Sequence, residues 1–420
     1  MASSTTSASA ASVKQTASQS AAIAIAMFCV LLVSYVLMAA DRYLFPVLAA
    51  DVRKAFGFSL SNTGLLSTIF TLGLGLAGLP TGYLLARYSR KTVLLIGIAV
   101  FSGATALTTV AAGFFSMLVL LAAQGIGMSM LATSMFALAA NYFSNNRGAA
   151  IGSVNFCYGI GGFLGPFIAG ILRTSYGTWH APMLAFGGFG FAMIAVILVT
   201  VRPWFSEIRH AAETKADTGG AETLMNRNTI ILTILSLIHG LSMYGFLGLY
   251  PTFLRENLHY SPTDAGTVIG FFGIGALTSI VGGWLGDRFS PKLVLSGSLL
   301  SIAILGYIFF MPSLNMLTRE ILTCIYGITG SAILYVNLAG CHVKALRRSL
   351  SSKGSGMFVT SLYAGAAFGG YFLGALATHF GRTYGDPLVG WQTGSEIAMT
   401  LMCLVGAALA LAIRPSEMSL

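Results

Sequence analysis

Apolar runs long enough to cross a bilayer recur from one end of the chain to the other. We distinguish twelve, with approximate edges at 21–48, 60–86, 92–113, 115–142, 149–172, 182–201, 229–253, 264–286, 293–311, 318–341, 356–379 and 392–413. Each has about 20 residues or more, which crosses a hydrocarbon core of roughly 30 Å as an α-helix. Because a backbone in lipid must satisfy its own hydrogen bonds, helices are the expected form. The runs predict an all-α polytopic membrane protein with twelve transmembrane helices, numbered here spans 1 to 12.

The composition excludes a soluble fold. Of 420 residues, 55% are hydrophobic and 9% are charged, whereas soluble chains usually carry about 25% charged residues. The five cysteines all lie in apolar spans and show no metal-ligand spacing. We interpret them as buried small side chains, and we expect neither a metal site nor a cofactor.

The basic residues are distributed as in a membrane protein, although the net charge of +10 alone is also typical of nucleic-acid binding. If the N-terminus is inside, sixteen of the 23 Lys and Arg fall on the inner side and Arg42 lies within span 1. The outer side then holds six: Arg53, Lys54, Arg173, Arg255, Arg319 and Arg382. By the positive-inside rule both termini are predicted to be cytoplasmic, in a bacterial-type inner (plasma) membrane, with no nucleic-acid partner.

The chain divides into two halves with a weak internal repeat. FSLSNTG (58–64) matches YSPTDAG (260–266), GYLLARYSRK (82–91) matches GWLGDRFSPK (283–292), and NRGAAIG (146–152) corresponds to SKGSGMF (352–358). We predict a disordered cytoplasmic tail (1–20), two six-helix bundles (21–202 and 229–413), a cytoplasmic linker (203–228) and a short cytoplasmic tail (414–420). Such 6+6 parallel repeats are typical of transporters, with the substrate site between the halves near the midplane.

The repeated segment after spans 2 and 8 resembles the signature G-x-L-x-D-R-x-G-R-R/K of the major facilitator superfamily. The first copy matches at Gly82, Leu84, Arg87, Arg90 and Lys91, but Ala86 stands at the acidic position. The second matches at Gly283, Leu285, Asp287, Arg288 and Lys292. The resemblance implies a cytoplasmic gate formed by these charges and glycines, weaker in the first half because Ala86 cannot form an ion pair. The alternative is that the bases only mark topology.

Span 5 contains GIGGFLGPFIAG (159–170), which resembles the Gly- and Pro-rich span 5 motif best known in proton antiporters of the same family. Gly161 and Gly165 predict a face of small residues for close helix contact. Pro166 is expected to kink the helix.

Span 1 contains MAADRYLFP (38–46), which places two adjacent charges in an apolar segment. A charge at the bilayer centre costs about 2.5–3.5 kcal/mol on insertion scales. Adjacent helix residues point about 100° apart, so we expect one charge to face a central cavity and the other a neighbouring helix. Arg42 is then the anchor for an anionic group and Asp41 a protonatable site; the alternative is a structural pair at the outer end of span 1.

An Asp-Arg pair in span 1 resembles the organic-anion (sialate-type) and spinster-like branches of the superfamily. Those branches typically add an Arg and a Glu in span 4, where this sequence has Leu121 and Met128. The usual second acid for proton coupling is therefore missing.

Other polar residues inside the spans are few. Span 3 has nothing more polar than Ser and Thr and is expected to face lipid. His239 is a second candidate for proton coupling, or a structural histidine. Together with Arg42, the candidate substrate contacts are Tyr35, Gln124, Asn155, Tyr158, Tyr244, Tyr335, Asn337 and Tyr363, for which packing roles are the alternative.

The combined pattern favours a monomeric secondary transporter that works by alternating access. Its leading function is proton-coupled transport (symport) of a small organic anion, a carboxylate, with protons and the lipid bilayer as the other partners. Proton-driven efflux of hydrophobic drug-like compounds and a non-transporting membrane sensor on the same fold are the alternatives. The sequence shows no nucleophile–base pairing, metal cluster or P-loop, so an enzyme is not expected.

Overall fold

A computed structural model describes residues 3–142, 147–206, 221–347 and 350–418 of the chain. Within these ranges the protein is helical and has no strand beyond one isolated bridge between Ala221 and Leu346. Eleven helices are long and apolar enough to cross a membrane, and one bent helix pair brings the number to twelve. The predicted all-α class with twelve spans is confirmed.

Spans 1 to 6 follow the expected order. Their helices are Ser3–Asp41 with Leu44–Phe56 (span 1), Leu60–Thr68 with Phe70–Arg87 (span 2), Arg90–Leu107 (span 3), Phe114–Tyr142 (span 4), Arg147–Tyr176 (span 5) and His180–Thr200 (span 6). A single turn, Thr108–Val110, continues span 3, and Pro203–Ser206 follows span 6.

Spans 7 to 12 repeat this pattern. Their helices are Arg227–Glu256 (span 7), Pro262–Ala276 with Ser279–Arg288 (span 8), Pro291–Phe309 (span 9), Met316–Tyr326, Gly327–Tyr335 and Val336–Lys344 (span 10), Ser351–Tyr384 (span 11), and Pro387–Ser395, Glu396–Leu401 and Met402–Ala410 (span 12). The middle segments of spans 10 and 12 are π-helical, and a final turn covers Pro415–Glu417.

Span 1 is interrupted at Arg42 and Tyr43 because of Pro46. Proline donates no backbone hydrogen bond, and its ring clashes with the carbonyl four residues earlier, which is that of Arg42. The first helix accordingly ends at Asp41 and the second begins at Leu44. The two charges predicted to be functional therefore lie at a helix break inside the bundle.

The first helix also continues back to Ser3, which differs from the expected disordered tail at 1–20. The segment is rich in Ala, the strongest helix former, and the sequence has neither Gly nor Pro from Ser3 to Phe45. Nothing in the local sequence therefore stops the helix before the membrane-spanning part begins.

Span 8 bends by 43° between its two helices. Here Thr278 Oγ1 donates to the Gly275 carbonyl (2.8 Å) and Ser279 Oγ to the Ala276 carbonyl (2.5 Å). Hydroxyl groups that bond to the preceding turn in this way bend helices. The bend turns Ser279 toward the interior of the bundle.

The two halves touch at one end of the bundle, which carries Asp51 and Glu256 and is named here the Asp51 end. A Cβ on Gly370 would lie 2.1 Å from the Gly64 carbonyl oxygen, and Thr68 Oγ1 donates to the Ala367 carbonyl (2.8 Å). Spans 2 and 11 therefore meet backbone to backbone. Since only glycine permits such an approach, these positions close the Asp51 end.

Spans 5 and 8 form the second contact between the halves. A Cβ on Gly273 would lie 2.4 Å from Phe163 N, and one on Gly266 would lie 2.2 Å from the Pro166 carbonyl oxygen. The predicted small-residue face of span 5 is confirmed, because Gly161 and Gly165 lie directly against the backbone of span 1.

The opposite end carries Arg87, Asp287 and Lys344 and is named here the Asp287 end. A Cβ added to Gly82 would meet no atom within 4 Å outside its own helix, and 77% of the Asp287 side chain is exposed. The protein is thus closed at the Asp51 end and open at the Asp287 end.

Residues 207–220 of the predicted linker, and 143–146 between spans 4 and 5, lie outside the described residues. The end of the linker packs on the segment after span 10: Ala221 exchanges two backbone hydrogen bonds with Ala345 and Arg347, and Glu222 pairs with Arg347 at 2.5 Å.

Candidate functional site

A central cavity of about 330 Å³ lies between the halves. It extends from Arg42 toward Phe136 and Ala339, which lie nearer the Asp287 end. Its remaining walls come from spans 1, 2, 4, 5, 7, 8, 10 and 11: Tyr35, Met38, Leu74, Ala132, Asn155, Tyr158, Met243, Tyr244, Ser279, Ser331, Tyr335, Val336 and Tyr363. Seven of the nine predicted substrate contacts, Arg42, Tyr35, Asn155, Tyr158, Tyr244, Tyr335 and Tyr363, therefore line one cavity.

Arg42 lies at the closed end of this cavity within a cage of aromatic rings. Its Nη1 and Nη2 atoms donate to the hydroxyls of Tyr158 and Tyr363, each at 3.3 Å. Its guanidinium carbon is 5.4–5.7 Å from the ring centroids of Phe70, Tyr158, Tyr244 and Tyr363, within cation–π range. Only 8% of Arg42 is exposed.

The guanidinium of Arg42 has no carboxylate partner in the described part of the chain. Among the residues that the structure describes, Arg42 forms no salt bridge, and its Nε atom has no hydrogen-bond partner. A buried charge without a counter-ion is costly, and rings and hydroxyls compensate it only in part. The site can therefore accept a negatively charged group.

Asp41 points away from the cavity. Its Oδ2 atom accepts hydrogen bonds from Thr105 Oγ1 (2.7 Å) and Gln124 Nε2 (2.9 Å), on spans 3 and 4. Its Oδ1 atom is buried and has no partner among the described residues. The expectation that the two adjacent charges face different surroundings is confirmed.

Two predicted substrate contacts and one predicted helix environment need correction. Gln124 does not reach the cavity, because its amide is held by Asp41 and by Thr105 Oγ1 at 2.9 Å. Asn337 is also buried outside it: its Nδ2 donates to the carbonyls of Gly282 and Ile333, both at 2.9 Å. Span 3 is not purely lipid-facing, since Thr105 turns inward to Asp41.

His239 is fully buried in span 7 and does not line the cavity. Neither ring nitrogen has a hydrogen-bond partner among the described residues. Its ring packs beside Gly330 of span 10, with Tyr326 on the same side. Among the described residues, His239 therefore has no hydrogen bond to Arg42 or to another polar group.

The predicted gate residues lie at the Asp287 end. The following contacts are formed within each half and not between the halves. Arg87 stacks on the Tyr83 ring (4.5 Å) and Arg288 on the Trp284 ring (4.9 Å). Lys91 donates to the Val201 carbonyl (2.6 Å), Arg90 donates to the Ser206 carbonyl (3.4 Å), and Asp287 pairs with Lys344 at 3.3 Å. These contacts stay within one half, and a Cβ added to Gly283 would lie 3.9 Å from Val336 Cγ1 of the same half. Within the described part of the chain, Lys292 forms no ion pair.

Sequence reasoning missed a group of ion pairs at the Asp51 end. Asp51 of span 1 pairs with Arg173 of span 5 (2.8 Å) and with Arg255 of span 7, and Arg53 pairs with Glu256. Partners 122 to 204 positions apart leave no signal in a single sequence. The apolar cavity residues were missed for a related reason: Leu74 or Met243 in the cavity has the same character as a residue facing lipid.

The helix count, the broken spans and the cavity between two halves define a polytopic membrane carrier. The sequence matches the Major Facilitator Superfamily over residues 31–370 and 232–419, and the chain belongs to this family. A bacterial homologue of the human lysosomal transporter spinster, solved in an inward-facing and occupied conformation, has the same fold: the TM-score is 0.75 at 18% identity, over 92% of this chain and 96% of that one.

Three relatives are 22–26% identical to this chain, which is too low an identity to assign a substrate. Protein spinster homolog 1 of Xenopus laevis is 26% identical over 296 residues, 65% of this chain but only 55% of that protein. The 4-hydroxybenzoate transporter PcaK of Acinetobacter baylyi is 22% identical over 429 residues, covering 93% and 90% of the two chains. The gallate transporter of Pseudomonas putida is 25% identical over 399 residues, covering 87% and 86%.

Proposed function

We propose that this protein carries a small organic anion, by preference an aromatic carboxylate, across the membrane by alternating access. The observation that carries the proposal is Arg42, a buried guanidinium in the central cavity that has no carboxylate partner among the described residues. Its planar fork binds a carboxylate through two parallel hydrogen bonds. The bound anion supplies the counter-charge that the protein does not.

The rest of the cavity suits the apolar body of such an anion. The walls around Arg42 are tyrosines, Phe136 and two methionines. The volume of about 330 Å³ is at the lower end of the range for small-molecule sites, about 300–1,000 Å³. One cation and little other charge favour a monoanion over a polyphosphate. Two of the relatives are transporters of 4-hydroxybenzoate and gallate, both aromatic carboxylates.

The break in span 1 adds to the attraction for an anion. The helix Leu44–Phe56 begins two residues after Arg42, so its positive end lies at the closed end of the cavity. Helix N-termini stabilise negative charge, and discontinuous helices are a common source of such sites in transporters.

Proton coupling is assigned to Asp41. Thr105 and Gln124 hold the carboxylate at Oδ2 and leave Oδ1 without a partner, so a proton can bind there without loss of either hydrogen bond. Asp41 is the last residue of the first helix, and the substrate anchor Arg42 follows it in the break. His239 is the reserve candidate.

The proposal extends to topology and gating. We place both termini in the cytoplasm of a plasma (inner) membrane, so that the Asp287 end is cytoplasmic. The bundles 21–202 and 229–413 rock about the central cavity, and the charges around Arg87 and Asp287 meet when that end closes. The carrier works as a monomer.

Thermal stability of the purified protein tests the anion site. Benzoate, 4-hydroxybenzoate and gallate are compared with neutral benzamide and with lipophilic cations, on wild type, Arg42→Ala and the control Arg227→Ala at an exposed arginine. A ligand at 100 times its Kd stabilises the folded state by about 2.7 kcal/mol. We expect carboxylates to stabilise wild type and Arg227→Ala but not Arg42→Ala. Equal stabilisation of all three proteins by a carboxylate contradicts the proposal.

The aromatic and methionine walls also suit efflux of hydrophobic drug-like compounds, which is the second candidate. Stabilisation by benzamide or the cations that persists in Arg42→Ala favours efflux. A ligand that binds but is never moved in proteoliposomes favours a sensor.

A further inference from the structure

Two depressions at the Asp51 end join into one surface feature, named here the vestibule. The first, of about 720 Å³, is lined by Asp51, Lys54, Arg173 and Arg255, among others. The second, of about 540 Å³, reaches Arg382 and Trp391. Both are lined by the ion pair of Arg53 with Glu256, so they adjoin each other at this pair.

The vestibule gathers almost all the cationic side chains of this side of the protein. Of the six bases assigned to the outer side, Arg319 is fully buried and donates to the Tyr250 hydroxyl and to the carbonyls of Phe309 and Met311. The other five, Arg53, Lys54, Arg173, Arg255 and Arg382, all line the vestibule.

Of the residues that the structure describes, two carboxylates, Asp51 and Glu256, line the vestibule against these five cations. His259 at the rim is neutral or positive and adds no negative charge. The nearby Asp386 uses its carboxylate to cap the next helix, accepting from Leu388 N at 2.8 Å. A concave surface with an excess of one charge concentrates ions of the opposite charge.

The arginines also retain unused hydrogen-bond donors. The Nε atoms of Arg53, Arg173 and Arg255 are buried and have no partner among the described residues, although their terminal nitrogens bind the two carboxylates. A guanidinium presents five donors. Lys54 and Arg382 form no ion pair within the described ranges. Because the three Nε atoms are buried, the charge and donors open to a soluble anion come from the exposed Lys54 and Arg382.

We propose that the vestibule is a second anion-binding site, which collects soluble carboxylates at the closed Asp51 end. This rests on the proposed function in taking the transported organic anion as its ligand. The site is separate from the Arg42 cavity: Asp51 is nine positions beyond Arg42 in span 1, about 13 Å of helix, and the contact of Gly64 with Gly370 closes the path. Binding there is weaker than at Arg42, because the site is wet and screened by salt.

Equilibrium dialysis of radiolabelled 4-hydroxybenzoate against the purified full-length chain in nonionic detergent tests this inference. Lys54→Glu/Arg382→Glu reverses two vestibule charges without touching an ion pair. Arg227→Glu/Lys353→Glu makes the same change of net charge at exposed residues of the Asp287 end. Arg42→Ala removes the central anchor, and a further protein combines it with the vestibule substitutions.

We expect wild type to bind in a tight and a weak phase. Arg42→Ala should lose the tight phase only, whereas Lys54→Glu/Arg382→Glu should weaken the second about tenfold or more. The weak phase should also decline as NaCl rises from about 0.02 to 0.3 M. The control pair should behave as wild type.

Other results separate the two proposals. Three results overturn the vestibule site. The weak phase is unchanged in Lys54→Glu/Arg382→Glu, it is reduced equally in the control pair, or it is present only when phosphatidylglycerol is added. Alternatively, wild type shows the phase that Lys54→Glu/Arg382→Glu weakens but no phase that Arg42→Ala removes. This result overturns the proposed function and leaves the vestibule as an anion site.

Discussion

Replacing Asp51 by Asn should open the Asp51 end of the protein. The Asp51 carboxylate accepts hydrogen bonds from both Nη atoms of Arg255, and this fork joins span 1 of the first half to span 7 of the second. The side chains are 11% and 13% exposed. The pair forms only while the two halves meet at the Asp51 end, so it stabilises the observed conformation over the conformation that is open at this end.

The magnitude follows from the burial of the pair. Removing one partner of a fully buried pair costs about 3–5 kcal/mol, whereas an exposed pair contributes about 0–1 kcal/mol. For this partly buried fork we estimate about 2–3 kcal/mol, closer to the buried limit because the geometry is bidentate. The ratio of open to closed molecules should rise about 30- to 150-fold.

Distances between spin labels at Tyr176 and Tyr384, exposed at the Asp51 ends of spans 5 and 11, measure this ratio. The labels are placed in a background without the accessible Cys29 and Cys324. Arg255→Gln should reproduce the widened distance of Asp51→Asn. Arg173→Gln is the matched control, because Arg173 binds the same carboxylate from within the first half.

Arg53 and Glu256 supply a graded comparison. Their side chains are 32% and 29% exposed, so Glu256→Gln should shift the ratio only about 2- to 5-fold, and Arg53→Glu/Glu256→Arg should restore it. An unchanged distance in Asp51→Asn, or a shift in Arg173→Gln as large as in Arg255→Gln, would refute the reasoning.

Three further predictions concern coupling, closure and stability. Asp41→Asn keeps an acceptor for Thr105 but cannot titrate, so substrate exchange at equal pH should persist while accumulation driven by a pH gradient is lost; full accumulation in proteoliposomes would contradict the assignment. Gly370→Ala places a Cβ 2.1 Å from the Gly64 carbonyl oxygen and should widen the Tyr176–Tyr384 distance, whereas Gly297→Ala, at an open position, should not. Arg319→Met removes the donor from three carbonyls and a tyrosine hydroxyl and should destabilise the fold by about 3 kcal/mol in denaturant titrations, with Arg227→Met near wild type.

The membrane-spanning architecture was readable from the chain. Hydropathy alone marks every span, because each helix must bury its backbone in lipid and so needs an apolar run of fixed length. The contact between Gly161 and span 1 was also predictable, since small residues four apart permit close packing. The divergence of Asp41 and Arg42 followed from helix geometry, which turns about 100° per residue.

Which residues line the site depends on how each helix is oriented about its axis and how the helices cross. Gln124 and Asn337 are as polar as Asn155, but Asp41 captures the first and the Gly282 carbonyl the second, so neither reaches the cavity. A single sequence does not show which buried polar group will satisfy which other.

The break in span 1 and the ion pairs of the Asp51 end show most clearly what the sequence determines and what the tertiary structure determines. Pro46 is a local cause that acts on the carbonyl four residues earlier, so the sequence contains the reason for the break at Arg42. Asp51 and Arg255 are 204 positions apart, and only the packing of the two halves brings them together. Local backbone chemistry and hydropathy decide which segments are helices and where they break; the docking of one half on the other decides which charges meet.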